Sequence, residues 1–109
     1  AECVEDTRRD IEESDIIAPI VGHVGDGNFH TLPIALPDDV EAWRRIQSFV
    51  ERLSERAIAM DGTCTGEHGI GQGKIKYLRQ EMGPAVDMMM AVKQALDPNN
   101  ILNPGKLFN

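Results

Sequence analysis

Asp26-Gly27, set between a β-branched run at 16–24 and a second apolar run at 28–36, constrains this chain more than any other feature. Both central residues of a type I′ turn need positive φ, and Asp-Gly meets that demand, so the flanking runs are predicted to fold back as a β-hairpin. With Asp26 and Gly27 as the two loop residues, His23 faces His30 directly. Opposed positions of an antiparallel pair carry Cβ atoms about 4.5–5.5 Å apart on one side of the sheet, close enough for two imidazoles to converge on an ion. Val24 and Phe29 are expected to turn the other way, into the core, and Pro19 marks the beginning or the edge of the first strand.

Beyond Pro37 the apolar period lengthens. Asp38 with Glu41 reads as a capping box, and Trp43, Ile46, Val50, Leu53, Ala57 and Met60 recur at three- and four-residue steps until Gly62 closes an amphipathic helix. Trp43 is expected in the core. Two further helices are predicted at 75–82 and 85–96, separated by Gly83-Pro84 and ended by Asp97-Pro98. The second of these turns Val86, Met89, Val92 or Lys93, and Leu96 inward. The charged stretch 2–14 suits the end of a surface helix with Val4, Arg8, Ile11 and Asp15 on one side, and the tail NNILNPGKLFN is expected to be extended and turn-rich. A hairpin with three or four helices makes an α+β fold, an antiparallel sheet covered on one face.

At 109 residues the chain holds one domain at most. It opens on AECVEDTRRD, without an initiator Met or an apolar leader, and reads as a piece of something longer. No stretch approaches the roughly 18 consecutive apolar residues of a membrane span. The formal charge of −7 and the scattered Lys and Arg argue against a nucleic-acid partner. Cys3 and Cys64 form neither a C-x-x-C pair nor a secreted framework, so a reducing, cytoplasmic setting is expected and Cys64 is read as a small buried residue.

The third histidine, His68, follows Glu67 in TCTGEHGIGQGK, a stretch at 63–74 with four glycines, which is read as a loop serving a site. All three histidines therefore lie in the hairpin or in this loop. Two imidazoles and a carboxylate form a common catalytic metal set, compatible with zinc, manganese or iron. Adjacent loop residues can face apart, leaving Glu67 to bind a metal and His68 to act as a base. The alternatives are two packed or surface histidines and a solvated Glu67-His68 pair. Lys74 is followed by Ile75 rather than Ser or Thr, which excludes a P-loop, and the glycine spacing also misses the dinucleotide fingerprint. The segment lacks an H-E-x-x-H, which disfavours a metalloprotease.

GHVGDGNFH at 22–30, TGEHGIGQGK at 65–74 and DPNNILNPGKLF at 97–108 resemble three signatures of the C-terminal domain of FAD-linked oxidases, the family of D-lactate dehydrogenase, the glycolate oxidase D subunit and D-2-hydroxyglutarate dehydrogenase. The resemblance implies a ferredoxin-like substrate domain, with the FAD-binding domain lying outside this chain. It implies that His23, His30 and Glu67 are metal ligands, that His68 is the proton-abstracting base, and that Asn103 comes near the flavin. For Asn103 a turn-forming role before Pro104 is the alternative. Leu32, two residues past His30 on the same strand face, stands where dicarboxylate-oxidising relatives tend to be polar; this points to lactate-like acids first and glycolate second. The other function classes left open are a free-standing metal-dependent hydrolase and an inert, self-associating metal-binding module.

Overall fold

The computed structural model describes residues 1–108, which fall into two compact units, the first spanning 1–62 and the second beginning at Thr63. The first unit holds helix α1 (Glu2–Glu13), strands β1 (Ile20–His23) and β2 (Asn28–Thr31), and helix α2 (Val40–Ala59). The second holds a single 3-10 turn at Gly66–His68, helix α3 (Ile75–Met82) and helix α4 (Ala85–Leu96). The α+β class expected from the sequence is the class observed. Among the described residues no helix is long and apolar enough to cross a membrane.

β1 and β2 form an antiparallel two-stranded sheet, extended by one isolated bridge between Ile17 and Ile34. The strands are shorter than their apolar runs because Pro19 and Pro33 lack the N–H that a continuous ladder requires. The connection is a 3-10 turn over Val24–Asp26 closed by Gly27, in place of the two-residue turn expected from Asp-Gly. The register shifts with it, so that His23 pairs with Asn28 and Val21 with His30. The expectation of a direct His23 to His30 pairing is thereby corrected. Val24 is also displaced from the predicted core, lying half exposed in the turn.

Gly22 explains why the strands can approach so closely at this point. Its φ is +145°, and a Cβ there would stand 2.6 Å from the Phe29 Cα and 2.7 Å from the Asn28 carbonyl oxygen. Only glycine has both the conformation and the clearance.

α2 starts at an N-cap one residue later than predicted: Asp39 Oδ1 accepts the Ala42 N–H at 2.9 Å. Its buried residues are Ile46, Phe49 and Ser54. Trp43, expected in the core, is 44 % exposed and donates its indole N–H to the Leu36 carbonyl at 2.9 Å, which satisfies its polar end at the surface. Asp61 takes the left-handed conformation (φ 58°) at the end of this helix, where Gly62 was predicted to do so.

On α1 Val4 and Ile11 are half-buried, whereas Arg8 and, just past the helix, Asp15 are exposed. The buried residues are Thr7 and Asp10, and the reason lies on α2. Arg52 donates to Asp10 from Nε (3.1 Å to each carboxylate oxygen) and Nη2 (2.6 Å), Arg56 Nη2 donates at 2.7 Å, and Ser14 Oγ at 3.0 Å. Burial pushes the Asp10 carboxyl up, but these partners outweigh it and hold the group below the usual carboxylate range. A charged seam, with Phe49 fully buried in the same unit, joins α1 to α2.

In the second unit, α3 and α4 begin and end where Gly83-Pro84 and Asp97-Pro98 predicted. Val86 of α4 is buried and Met89 and Lys93 are half-buried, whereas Val92 and Leu96 are exposed, so the inner stripe runs through Lys93 rather than Val92 and stops short of Leu96. The tail is tied to α4 by Asp97, which accepts the N–H groups of Ile101 and Leu102, both at 2.9 Å, and pairs with the Lys93 ammonium.

Candidate functional site

Each histidine-bearing segment is shaped by its own unit. In the first, alternation along the strands puts Val21 and His23 of β1 on the same face as Asn28, His30 and Leu32 around β2. The observed register differs from the expected one by two residues, which changes the partner of each histidine and preserves its face. His23 and His30 are thus diagonal neighbours, a separation of about 7–8 Å by sheet geometry and somewhat less between Cβ atoms. His23 is exposed and His30 half-buried. Beside them Val21 and Leu32, together with Ile17 and Ile34 further along, give this face an exposed apolar strip. Leu32 is held by its N–H, which donates to the Pro19 carbonyl at 2.9 Å.

In the second unit, Glu67 and His68 lie in the 3-10 turn, bracketed by Gly66 and Gly69 at φ values of 52° and 78° that a side-chain-bearing residue adopts only at a cost. The tight turn brings the two side chains toward each other: His68 Nε2 lies 3.8 Å from Glu67 Oε1, and both side chains are largely exposed. The expectation that they face apart is not the arrangement seen. A carboxylate beside an imidazole can orient it and share an ion or a proton with it.

Two residues that the motifs left without a role organise this loop. Lys74, whose following Ile75 excludes a phosphate-binding loop, donates its ammonium to the Cys64 carbonyl, and Glu81 on α3 accepts the Cys64 N–H at 3.2 Å. The signal available in the sequence was weak, a lysine closing the glycine-rich segment and a glutamate seven residues beyond it. Cys64 itself is buried, as expected, and burial followed by its contact with Glu81 pushes its thiol above the ordinary value. Asn103 adopts φ 49° and its carbonyl accepts the Lys106 N–H at 3.2 Å, so it forms a turn in the tail.

Residues 1–107 match the family described as FAD linked oxidases, C-terminal domain. The chain is 53 % identical over 106 residues to the probable mitochondrial D-lactate dehydrogenase of Danio rerio, covering 96 % of this chain and 21 % of that protein. It is 43 % identical over 109 residues to the mitochondrial D-lactate dehydrogenase (cytochrome) of Arabidopsis thaliana, covering 99 % and 19 %. The glycolate oxidase subunit GlcD of Bacillus subtilis is 44 % identical over 98 residues, covering 86 % and 20 %. The chain spans about a fifth of the length of these curated relatives.

Proposed function

Because the chain belongs to the FAD linked oxidases through their C-terminal domain, we propose that the protein carrying it is a flavin-dependent dehydrogenase oxidising a D-2-hydroxy acid, D-lactate before glycolate, to the 2-oxo acid. The observation that carries this reading is the shared hairpin face of His23 and His30, with the apolar Leu32 beside them, in a chain similar to D-lactate dehydrogenases along nearly its whole length.

His23, His30 and Glu67 are the residues assigned to a divalent ion, zinc or else manganese or iron. Their donor chemistry fits: two imidazoles on one sheet face and an exposed carboxylate. Such an ion supplies Lewis acidity at the hydroxyl and carboxylate oxygens of a 2-hydroxy acid. FAD, held mainly by parts of the protein outside this chain, supplies the hydride acceptor. The chain's own work is to bind, orient and move a proton. An imidazole nitrogen of His68 takes the hydroxyl proton as the C2 hydrogen departs with its electron pair, leaving the carbonyl of the product. Glu67, beside His68, keeps that imidazole oriented. Leu32 and Val21 offer an apolar rest for a short alkyl side chain, which favours lactate over a dicarboxylate. Asn103 is assigned to the approach of the flavin. A reducing compartment, mitochondrial in a eukaryotic source, is the setting assigned to the protein. The 109-residue chain alone is expected to be catalytically silent.

The intact protein is expected to be yellow and to bleach anaerobically with D-lactate. His68→Ala should slow bleaching by about 10²–10⁴-fold, the usual worth of a general base. A colourless protein sinks the dehydrogenase reading, and bleaching of the variant at the normal rate sinks the base assignment.

A further inference from the structure

The loop at 63–74 is tied down at its start, across its base and near its middle. At the start, the Glu81 carboxylate accepts the Cys64 N–H at 3.2 Å and bonds the Thr63 hydroxyl and the Cys64 thiol. Burial pushes this carboxyl up, but those donors and the Lys74 charge outweigh it and hold Glu81 below the usual carboxylate range. Across the base, the Lys74 ammonium donates to the Cys64 carbonyl, joining positions ten residues apart. Near the middle, the Gly71 carbonyl accepts the Leu107 N–H at 2.8 Å, which secures the loop to the tail. The tail is secured in turn by Asp97 and by Lys93, whose ammonium donates to the Leu102 carbonyl at 2.7 Å.

Glu67 and His68 need this support. Their side chains are 56 % and 73 % exposed, so packing does little to select one conformation, and a segment with four glycines has much backbone entropy to lose on ordering. Fixing both ends of the loop removes most of that freedom.

We propose that Glu81, acting with Lys74, is a positioning residue for Glu67 and His68, holding the glycine loop in the shape that presents both side chains. The functional consequence rests on the reading of Glu67 as a metal ligand and His68 as a base; the brace itself does not. The test uses the intact protein and two variants, Glu81→Gln and Lys74→Met, so that a folding failure of one leaves the other informative. Hydrogen–deuterium exchange of peptides covering 64–73 should quicken about tenfold in both, with exchange in α4 unchanged, because the brace acts locally. Zinc affinity, measured by competition with a chromophoric chelator, should fall by about 10- to 100-fold, the usual cost of losing a group that orients a ligand. Unchanged loop exchange in both variants overturns the proposal. So does normal zinc affinity in variants whose loop has loosened. If the unmodified protein takes up no zinc, the ligand reading falls, and flavin reduction by saturating D-lactate decides: a loss of about 10- to 100-fold in the variants sustains the brace, and an unchanged rate overturns it.

Discussion

His23 and His30 project from one face of the β1–β2 hairpin a diagonal step apart, His23 lying opposite Asn28 and His30 opposite Val21. The register sets the apolar, half-exposed Val21 directly across from His30 on that same face.

Zinc added to the intact protein is expected to raise its thermal midpoint. Occupancy at a hundredfold excess over the dissociation constant corresponds to about 2.7 kcal/mol. His23→Ala and His30→Ala should each lose most of this stabilisation in a calorimetric scan. Equal zinc stabilisation in both variants and the parent would remove the histidine pair from the ligand set.

Gly22→Ala should disrupt the hairpin. The backbone conformation alone costs about 1–3 kcal/mol for a non-glycine residue, and the clash with backbone atoms of Phe29 and Asn28 adds to it. Gly25→Ala is the control, since nothing lies within 4 Å of the Cβ it would add. Urea unfolding of both should show a lowered midpoint only for the first.

Asp10→Ala should destabilise the α1–α2 pair by about 3–5 kcal/mol, because it leaves the largely buried Arg56 guanidinium without its carboxylate. Arg52→Ala, at a half-exposed position, should cost only about 1 kcal/mol. The Asp10 carboxyl is depressed in the folded state, so its contribution is fully present above its ordinary value of 3.8 and is lost as pH falls through the lower folded value. In Asp10→Asn that part of the acid-induced loss of stability should be absent.

Asp97 gives a second acid-sensitive point. Its bond from Lys93, with the Ile101 and Leu102 amides, lowers its pKa to about 2 against the opposing effect of burial. The anchor of the tail should therefore hold from neutral pH down to about 4 and release as pH falls from there toward about 2. Amide exchange at Ile101 and Leu102 measures this directly; protection that persists below that window would contradict it.

How far the sequence reached depended on whether the deciding interaction was local. α3 and α4 were legible to the residue because Gly83-Pro84 and Asp97-Pro98 break a helix wherever they occur. The hairpin was legible as a hairpin, and its two histidines as sharing a face, because a two-residue slip in register leaves alternation intact. The turn itself was misread: Asp26-Gly27 favours a two-residue loop locally, but the chain closes over four residues, with Gly22 allowing the strands to meet where they do. The burial of Thr7 and Asp10 on α1 was beyond reach, since they are inward only because Arg52 and Arg56, more than forty positions away, come to meet them.

The same division holds for the candidate site. The residue types that carry chemistry, His23, His30, Glu67 and His68, and the glycine-rich setting of the last two are properties of the sequence, since motif spacing and backbone permissiveness are written in the order of the residues. The orientation of those groups was decided only by tertiary structure. The register that makes the histidines diagonal, and the Glu81 and Lys74 ties that shape the loop, depend on bonds between segments whose meeting no local preference encodes.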